Sequence, residues 1–226
     1  MNKAIVLLSG GLDSVVSLAA LRDEYNVALA LTFNYGQKSF KEEAEASELV
    51  SLHYNIEHKI INLDWLAEIT KTSLVAGDSI PSLPIDDLDN LEKAEKTAKA
   101  VWVPNRNGLF VNIAACYADA YGYNYIIIGA NSEEAATFKD NSREFIEAAN
   151  YSLGNSVNQE VSLVAPLMNL NKYEIVKKGI DLDVPFHLIK SCYGSEQKKC
   201  SGCESCNRLK RALMAHHRED LINLLF

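Results

Sequence analysis

Five stretches of the chain, residues 3–8, 27–33, 58–63, 125–129 and 161–165, read as β-strands, several of them near-continuous apolar runs. Runs without polar alternation suit parallel strands that are covered on both faces. Between them, residues 14–24, 40–53 and 108–121 carry apolar side chains at helical spacing. Alternation of this kind predicts an α/β fold, a parallel sheet sandwiched by helices with Rossmann-like, right-handed crossovers. In open sheets of this type ligands bind at the carboxyl ends of the strands.

The pattern breaks in two places. Residues 76–90 hold two prolines, a glycine, four aspartates and two serines, and 93–100 is a short, charged, Ala-rich stretch. Residues 76–103 are therefore expected to be a long excursion, mobile or partly disordered. Asn171 and Glu174 have the spacing of a capping box and predict a helix start. After residue 181 periodicity is lost until a helical pattern at 203–218. The expected organisation is an α/β domain over 1–180 and a C-terminal segment with its own helix over 181–226.

Composition narrows the class. Of 226 residues, 48% are apolar and 23% charged, ordinary for a soluble protein, and the net charge is −8. That balance argues against a stable nucleic-acid partner, since phosphate contacts need Lys or Arg surfaces. No apolar stretch nears the roughly 20 residues that span a bilayer. The N-terminus reads as a core strand with one lysine rather than as a secretory leader with a cleavage site. A cytoplasmic protein with no membrane partner is expected.

Candidate chemistry begins right after the first apolar run, at Ser9-Gly10-Gly11-Leu12-Asp13-Ser14. Adjacent glycines let the backbone turn sharply and approach a ligand. The helical pattern that follows puts this turn at a helix N-terminus, where free N–H groups and the dipole favour an anion. The Walker loop is excluded, because Leu12-Asp13 stands where that motif needs its lysine. Helix capping by Ser9, Asp13 or Ser14 is the plainer alternative.

Four of the five cysteines fall in the set Cys192-x7-Cys200-x2-Cys203-x2-Cys206. Four thiolates suit tetrahedral zinc and leave no open position, so a structural zinc is expected rather than a hydrolytic one. An iron–sulfur cluster or a redox pair stays open as an alternative. Cys116 falls on the apolar face of its helical pattern and reads as a small buried hydrophobe. The basic stretch Arg208, Lys210, Arg211, His216, His217 and Arg218 reads as a solvated helix face, with polyanion contact as the other possibility.

The Ser-Gly-Gly-x-Asp-Ser string resembles the pyrophosphate loop of the N-type ATP pyrophosphatases, which share an adenine nucleotide alpha-hydrolase-like fold. Further motifs are Tyr35-Gly36-Gln37, the segment from Val103 to Asn107 around Arg106, Gly129-Ala130-Asn131, Pro166-Leu167 with Lys172 and Glu174, Ser191-Cys192-Tyr193, and the terminal cysteine knot. Together they make the chain resemble the 7-cyano-7-deazaguanine synthase family along its length. The resemblance implies conversion of 7-carboxy-7-deazaguanine and ammonia to the nitrile with ATP, feeding queuosine or archaeosine in tRNA. It implies zinc on Cys192, Cys200, Cys203 and Cys206, Mg²⁺ with ATP, and often a homodimer.

On that resemblance the ATP site is expected at Leu8, Ser9, Gly10, Gly11, Leu12, Asp13 and Ser14, with Thr32, Phe33 and Asn34 meeting adenine through backbone groups. The catalytic set is expected to be Asp13, Ser14, Arg106 and Lys172. Substrate contacts are expected from Tyr35, Gln37, Arg106, Asn131, Phe138, Asp140 and Lys190. Asn131 and Asp140 are candidates for reading the base edge, and Tyr35 and Phe138 for stacking on a ring. The chain departs from the family pattern across Glu133–Ser142, where Lys139 replaces a usual proline, and at Lys190, where a tryptophan is common. A tRNA-thiolating enzyme of the same superfamily, or a nucleotide- or RNA-binding zinc module without turnover, would be the competing readings.

Overall fold

A computed structural model describes residues 2–76, 80–190, 192–194 and 202–226. The chain opens with β1 (Lys3–Leu7), α1 (Leu12–Leu21), β2 (Asn26–Asn34), α2 (Phe40–Tyr54), β3 (Glu57–Asn62) and a short α3 (Asp64–Ile69). After the excursion, which carries α4 (Leu91–Ala100), come α5 (Arg106–Tyr121), β4 (Tyr125–Ile127), a single-turn α6 (Ser132–Ala135), α7 (Arg143–Leu153) and β5 (Ser162–Val164). The chain closes with α8 (Lys172–Asp181), α9 (Glu204–Ala215) and α10 (Glu219–Leu225). All five expected strands are present, each within a residue or two of its expected bounds. They pair in parallel in the order β3-β2-β1-β4-β5.

The sheet separates two apolar layers by side-chain parity. Ala4, Val6 and Leu8 face a layer built from α1, α8, α9 and α10, including Leu18, Ile175, Leu209, Leu213 and Leu221. Ile5 and Leu7 face the other, with Leu66 of α3, Val111, Ala114 and Ala118 of α5, and Leu153 of α7. Between Ala4 and Ile5 the register against β2 slips past Ala28. That bulge is why Val27 and Ala30 share one layer while Leu29, Leu31 and Phe33 share the other.

The packing bears on three expectations. The C-terminal helices α9 and α10 pack into the same core as α1 and α8. The described part of the excursion is structured. Ser82 bridges Cys203, Asn207 Nδ2 donates to the Leu83 carbonyl at 2.7 Å, and Thr97 Oγ1 donates to Glu204 at 2.8 Å. Cys116 is exposed, because the buried stripe of α5 runs through Val111, Ala114, Ala115 and Ala118 instead.

Candidate active site

A cleft opens where the sheet changes its direction of growth, between the carboxyl ends of β1 and β4. Gly10 takes φ +69°, and a Cβ there would meet Ala46 Cβ at 2.6 Å. Only glycine lets the loop lie this close to α2. Gly11 then serves as the N-cap of α1 with extended backbone and no side-chain cap. Neither Ser9, Asp13 nor Ser14 caps the helix, contrary to the plainer reading. Ser14 Oγ donates to the Gly11 carbonyl at 3.0 Å and accepts from Ser9 N–H at 3.3 Å, which tightens the loop. Gly129, at the end of β4, presses on the same place, since a Cβ there would meet Ser14 N at 2.9 Å.

Cations converge on this loop from distant segments. Lys172, first residue of α8, is buried and donates to both Asp13 carboxylate oxygens at 2.7 and 2.9 Å. Glu134 stands 3.9 Å from the same ammonium. Burial alone would pull Lys172 down, but the Asp13 and Glu134 charges outweigh it and hold it above its ordinary value. The Asn171–Glu174 capping box is present and fixes the helix start that presents Lys172. Arg106, first residue of α5, is half-buried, with its guanidinium beside the Tyr35 hydroxyl and drawn to Asp140 and Glu134. Those partners overcome its burial and hold it charged.

The expected residues divide sharply. Leu8, Ser9, Gly11, Leu12, Asp13, Ser14, Thr32, Phe33, Tyr35, Gln37, Arg106, Lys172 and Lys190 line the cleft. Gly10 shapes it from behind, and the Lys190 N–H donates to the Gly10 carbonyl at 2.8 Å. Asn34, Asn131, Phe138 and Asp140 are absent from its walls. Asn131 is fully buried, and its carbonyl oxygen caps α6 by accepting from Glu133 and Glu134 N–H groups at 3.1 and 3.0 Å. Asp140 anchors α5, its Oδ2 accepting from Asn107 N–H at 3.1 Å. Phe138 stacks on Trp102 at 6.2 Å.

Polar groups in the β2 strand end are also committed. Thr32 Oγ1 donates to the Leu8 carbonyl at 2.6 Å. The Phe33 carbonyl accepts from Gln37 Nε2 at 2.9 Å and the Asn34 carbonyl from Leu63 N–H at 2.7 Å. Gln37 lines the cleft, yet its amide is occupied by Phe33, Tyr35 N–H and Glu43. This side is left as an aromatic wall, with Phe33 stacked on Phe110 at 3.9 Å.

Among the cleft residues that escaped the sequence reading are Glu43, Glu134 and Asn141. Glu43 on α2 accepts from Ser39 Oγ at 2.6 Å and Gln37 Nε2 at 3.0 Å, and burial pushes its carboxyl above its usual range. Glu134, beside Lys172, is raised by burial as well. Asn141 lies at the end of a 3-10 turn, Lys139–Asn141. Glu43 sits at an exposed-looking point of a polar helix face, and no local signal marks it. The Asn131 cap three residues ahead of Glu134 was legible.

Cys192, Cys203 and Cys206 are buried together, with their three Sγ atoms within 4.8 Å of one another. Bonds of about 2.3 Å to a tetrahedral ion put sulfurs roughly 3.8 Å apart, so this set can hold a metal ion. Cys200 and Ser191 lie outside the described residues. Cys192 and Tyr193 also line the cleft, which makes the cysteine set one of its walls. From it α9 carries Arg208, which pairs with Glu133 and Glu204; Glu133 in turn accepts the Lys172 N–H at 2.7 Å. The basic stretch is thus partly internal: Arg208 pairs inward and Arg211 pairs with Asp89 at 2.8 Å. Among the described residues no helix is long and apolar enough to cross a membrane.

Comparison with known proteins gives a consistent result. A family model described as Queuosine biosynthesis protein QueC matches residues 3–217. The chain is 51% identical to the 7-cyano-7-deazaguanine synthase of Carboxydothermus hydrogenoformans, over 94% of this chain and 98% of that protein. Identity to the enzyme of that name from Pelotomaculum thermopropionicum is 49%, over 93% and 96%. To the one from Methanosarcina mazei it is 47%, over 93% of both chains.

Proposed function

The chain belongs to the QueC family, and from that premise we propose that it converts 7-carboxy-7-deazaguanine and ammonia to 7-cyano-7-deazaguanine using ATP, toward queuosine. A carboxylate is a poor electrophile for ammonia. Transfer of AMP to its oxygen, with loss of diphosphate, makes that oxygen a leaving group. Ammonia then displaces AMP and gives the amide. A second adenylation, on the amide oxygen, lets AMP leave with that oxygen as the nitrile forms and two N–H protons are lost. The site therefore has to bind phosphate and carboxylate side by side and exclude water from the acyl adenylate.

One observation carries this reading: the start of α1 at its glycine N-cap, buried Lys172 and half-buried Arg106 open into a single cleft. The α1 N-terminus and the Ser9 hydroxyl are suited to the departing diphosphate, and Ser14 holds the loop in shape. Lys172, held against the loop by Asp13, adds positive charge there. Mg²⁺ that arrives with ATP would neutralise phosphate oxygens, with Asp13 the nearest loop carboxylate to approach it. Arg106, with its planar fork, is assigned to the substrate carboxylate. Catalysis comes from positioning and charge stabilisation rather than from a protein nucleophile.

A zinc ion fits Cys192, Cys203 and Cys206, with Cys200 as the fourth ligand. Bound there it would supply a structural cross-link and no open coordination position. Release of AMP and diphosphate with 7-carboxy-7-deazaguanine plus ammonium, and the mass of the product, test the assignment. ATP binding without diphosphate release from that acid would overturn it.

A further inference from the structure

Of the described side chains lining the cleft, only Asn141 carries an enclosed nitrogen or oxygen with no hydrogen-bond partner. The residue is 3% exposed, and the unpartnered atom is its Nδ2. Leaving an enclosed amide unpaired disfavours the fold, so such a group marks a place where something else completes the bond. Its mount is firm on both sides. Asp140 is tied to the start of α5 through Asn107, by bonds of 3.1 and 2.9 Å. Ser142 caps α7 by accepting from Phe145 N–H at 3.1 Å. Asn141 is thus fixed next in sequence to the residue that anchors the start of α5, and it lines the same cleft as Arg106.

We infer that Asn141 is the residue that reads the ring carbonyl of the substrate base. This rests on the proposed reaction and deepens it. In 7-carboxy-7-deazaguanine the 6-oxo group and the 7-carboxylate project from the same edge of the bicycle. A carboxylate on Arg106 therefore brings the 6-oxo acceptor next to it, where Asn141 offers an N–H donor. The same amide's oxygen can accept from the adjacent ring N–H, because a carboxamide presents donor and acceptor together. A 6-amino base of the same shape puts a donor against a donor and is rejected.

The test compares wild type, Asn141→Ala and the near-isosteric Asn141→Asp. Substrates are the 6-oxo acid and its 6-amino counterpart, with ATP titrated separately. For Asn141→Ala the KM of the 6-oxo acid should rise roughly tenfold or more, while the KM for ATP stays within about twofold. The melting temperature should change little, because the enclosed Nδ2 has no partner in the protein to lose. Asn141→Asp, an acceptor, should narrow or reverse the preference for 6-oxo over 6-amino. An unchanged KM for the acid in Asn141→Ala, or an equal rise for ATP, overturns the inference and leaves the proposed reaction standing. Wild type that turns over neither acid overturns both.

Discussion

After β1 the chain turns through Gly10 and Gly11 into α1; after β4 it turns through Gly129 and Asn131 into α6, and both turns border the same cleft. Each begins with a glycine that lets another segment approach within van der Waals distance. They differ at the N-cap. Gly11 offers no side chain, whereas Asn131 accepts from two N–H groups of α6. The N-cap residue of the first corner satisfies no α1 amide with a side chain, and that of the second satisfies two of its own. On the proposed reading, a strand–glycine–helix corner serves an anion only when its own N-cap side chain does not take the place first. Asn131 accordingly supports Glu133 and Glu134, and through them Lys172, without reaching the cleft.

The comparison breaks hardest at Gly10. A β-branched residue at positive φ is strained, and its Cβ would strike Ala46. Gly10→Val is expected to cost about 1–3 kcal/mol of stability. Diphosphate release should fall by roughly a hundredfold or more as the amides lose their aim. Chemical denaturation and a coupled diphosphate assay measure the two effects separately. Wild-type turnover in this variant would remove the loop from the mechanism.

Gly11→Asp would make the first corner resemble the second. Its backbone is already extended, and the nearest atom to a new Cβ is Ser9 Oγ at 3.2 Å. The new carboxylate would cap α1 and repel phosphate. An increase of roughly tenfold in the KM for ATP is expected, worth about 1.4 kcal/mol, with the melting temperature held or raised by the added cap. An unmoved KM would place the triphosphate elsewhere.

Asn131→Ala tests the second corner. Loss of the cap is expected to cost about 0.5–2 kcal/mol in denaturant melts. The KM for the acid should change less than that cost would predict for a direct contact. A selective rise in that KM, at unchanged stability, would restore Asn131 to the base edge.

The smallest effect is on pH dependence and belongs to the first corner, where α2 passes behind Gly10. Burial raises the Glu43 carboxyl above its ordinary 4.5, so the folded state holds that proton more tightly than the unfolded chain does. Its contribution to stability is fully present below pH 4.5 and is lost as pH rises through the folded value. Glu43→Gln should flatten that decline in pH-resolved melting curves. An identical slope in both proteins would show that Glu43 stays ionised.

What could be read without coordinates was local. Apolar runs located the strands because a strand covered on both faces has few places for polar side chains. The capping box at Asn171 was visible because its two partners are three residues apart. Helix α7 was missed although Ser142 stands at its cap and Phe145, Ile146, Ala149 and Leu153 form its apolar stripe. Helix α10 was hidden behind α9, from which it is separated only by a left-handed turn at His217, φ +52°.

The amino-acid sequence by itself determined the glycine corner, the parallel α/β frame, the cysteine set and the family, because each is written in neighbouring residues. Tertiary structure alone decided which of the nearby polar residues were still available. Asn131, Asp140 and Asn141 are similar in chemistry and each keeps one unpartnered enclosed atom, yet the first caps a helix, the second anchors another, and only the third lines the cleft. Hydrogen-bond partners that lie tens of residues away, such as Asn107 for Asp140, make that division, and no local pattern records them.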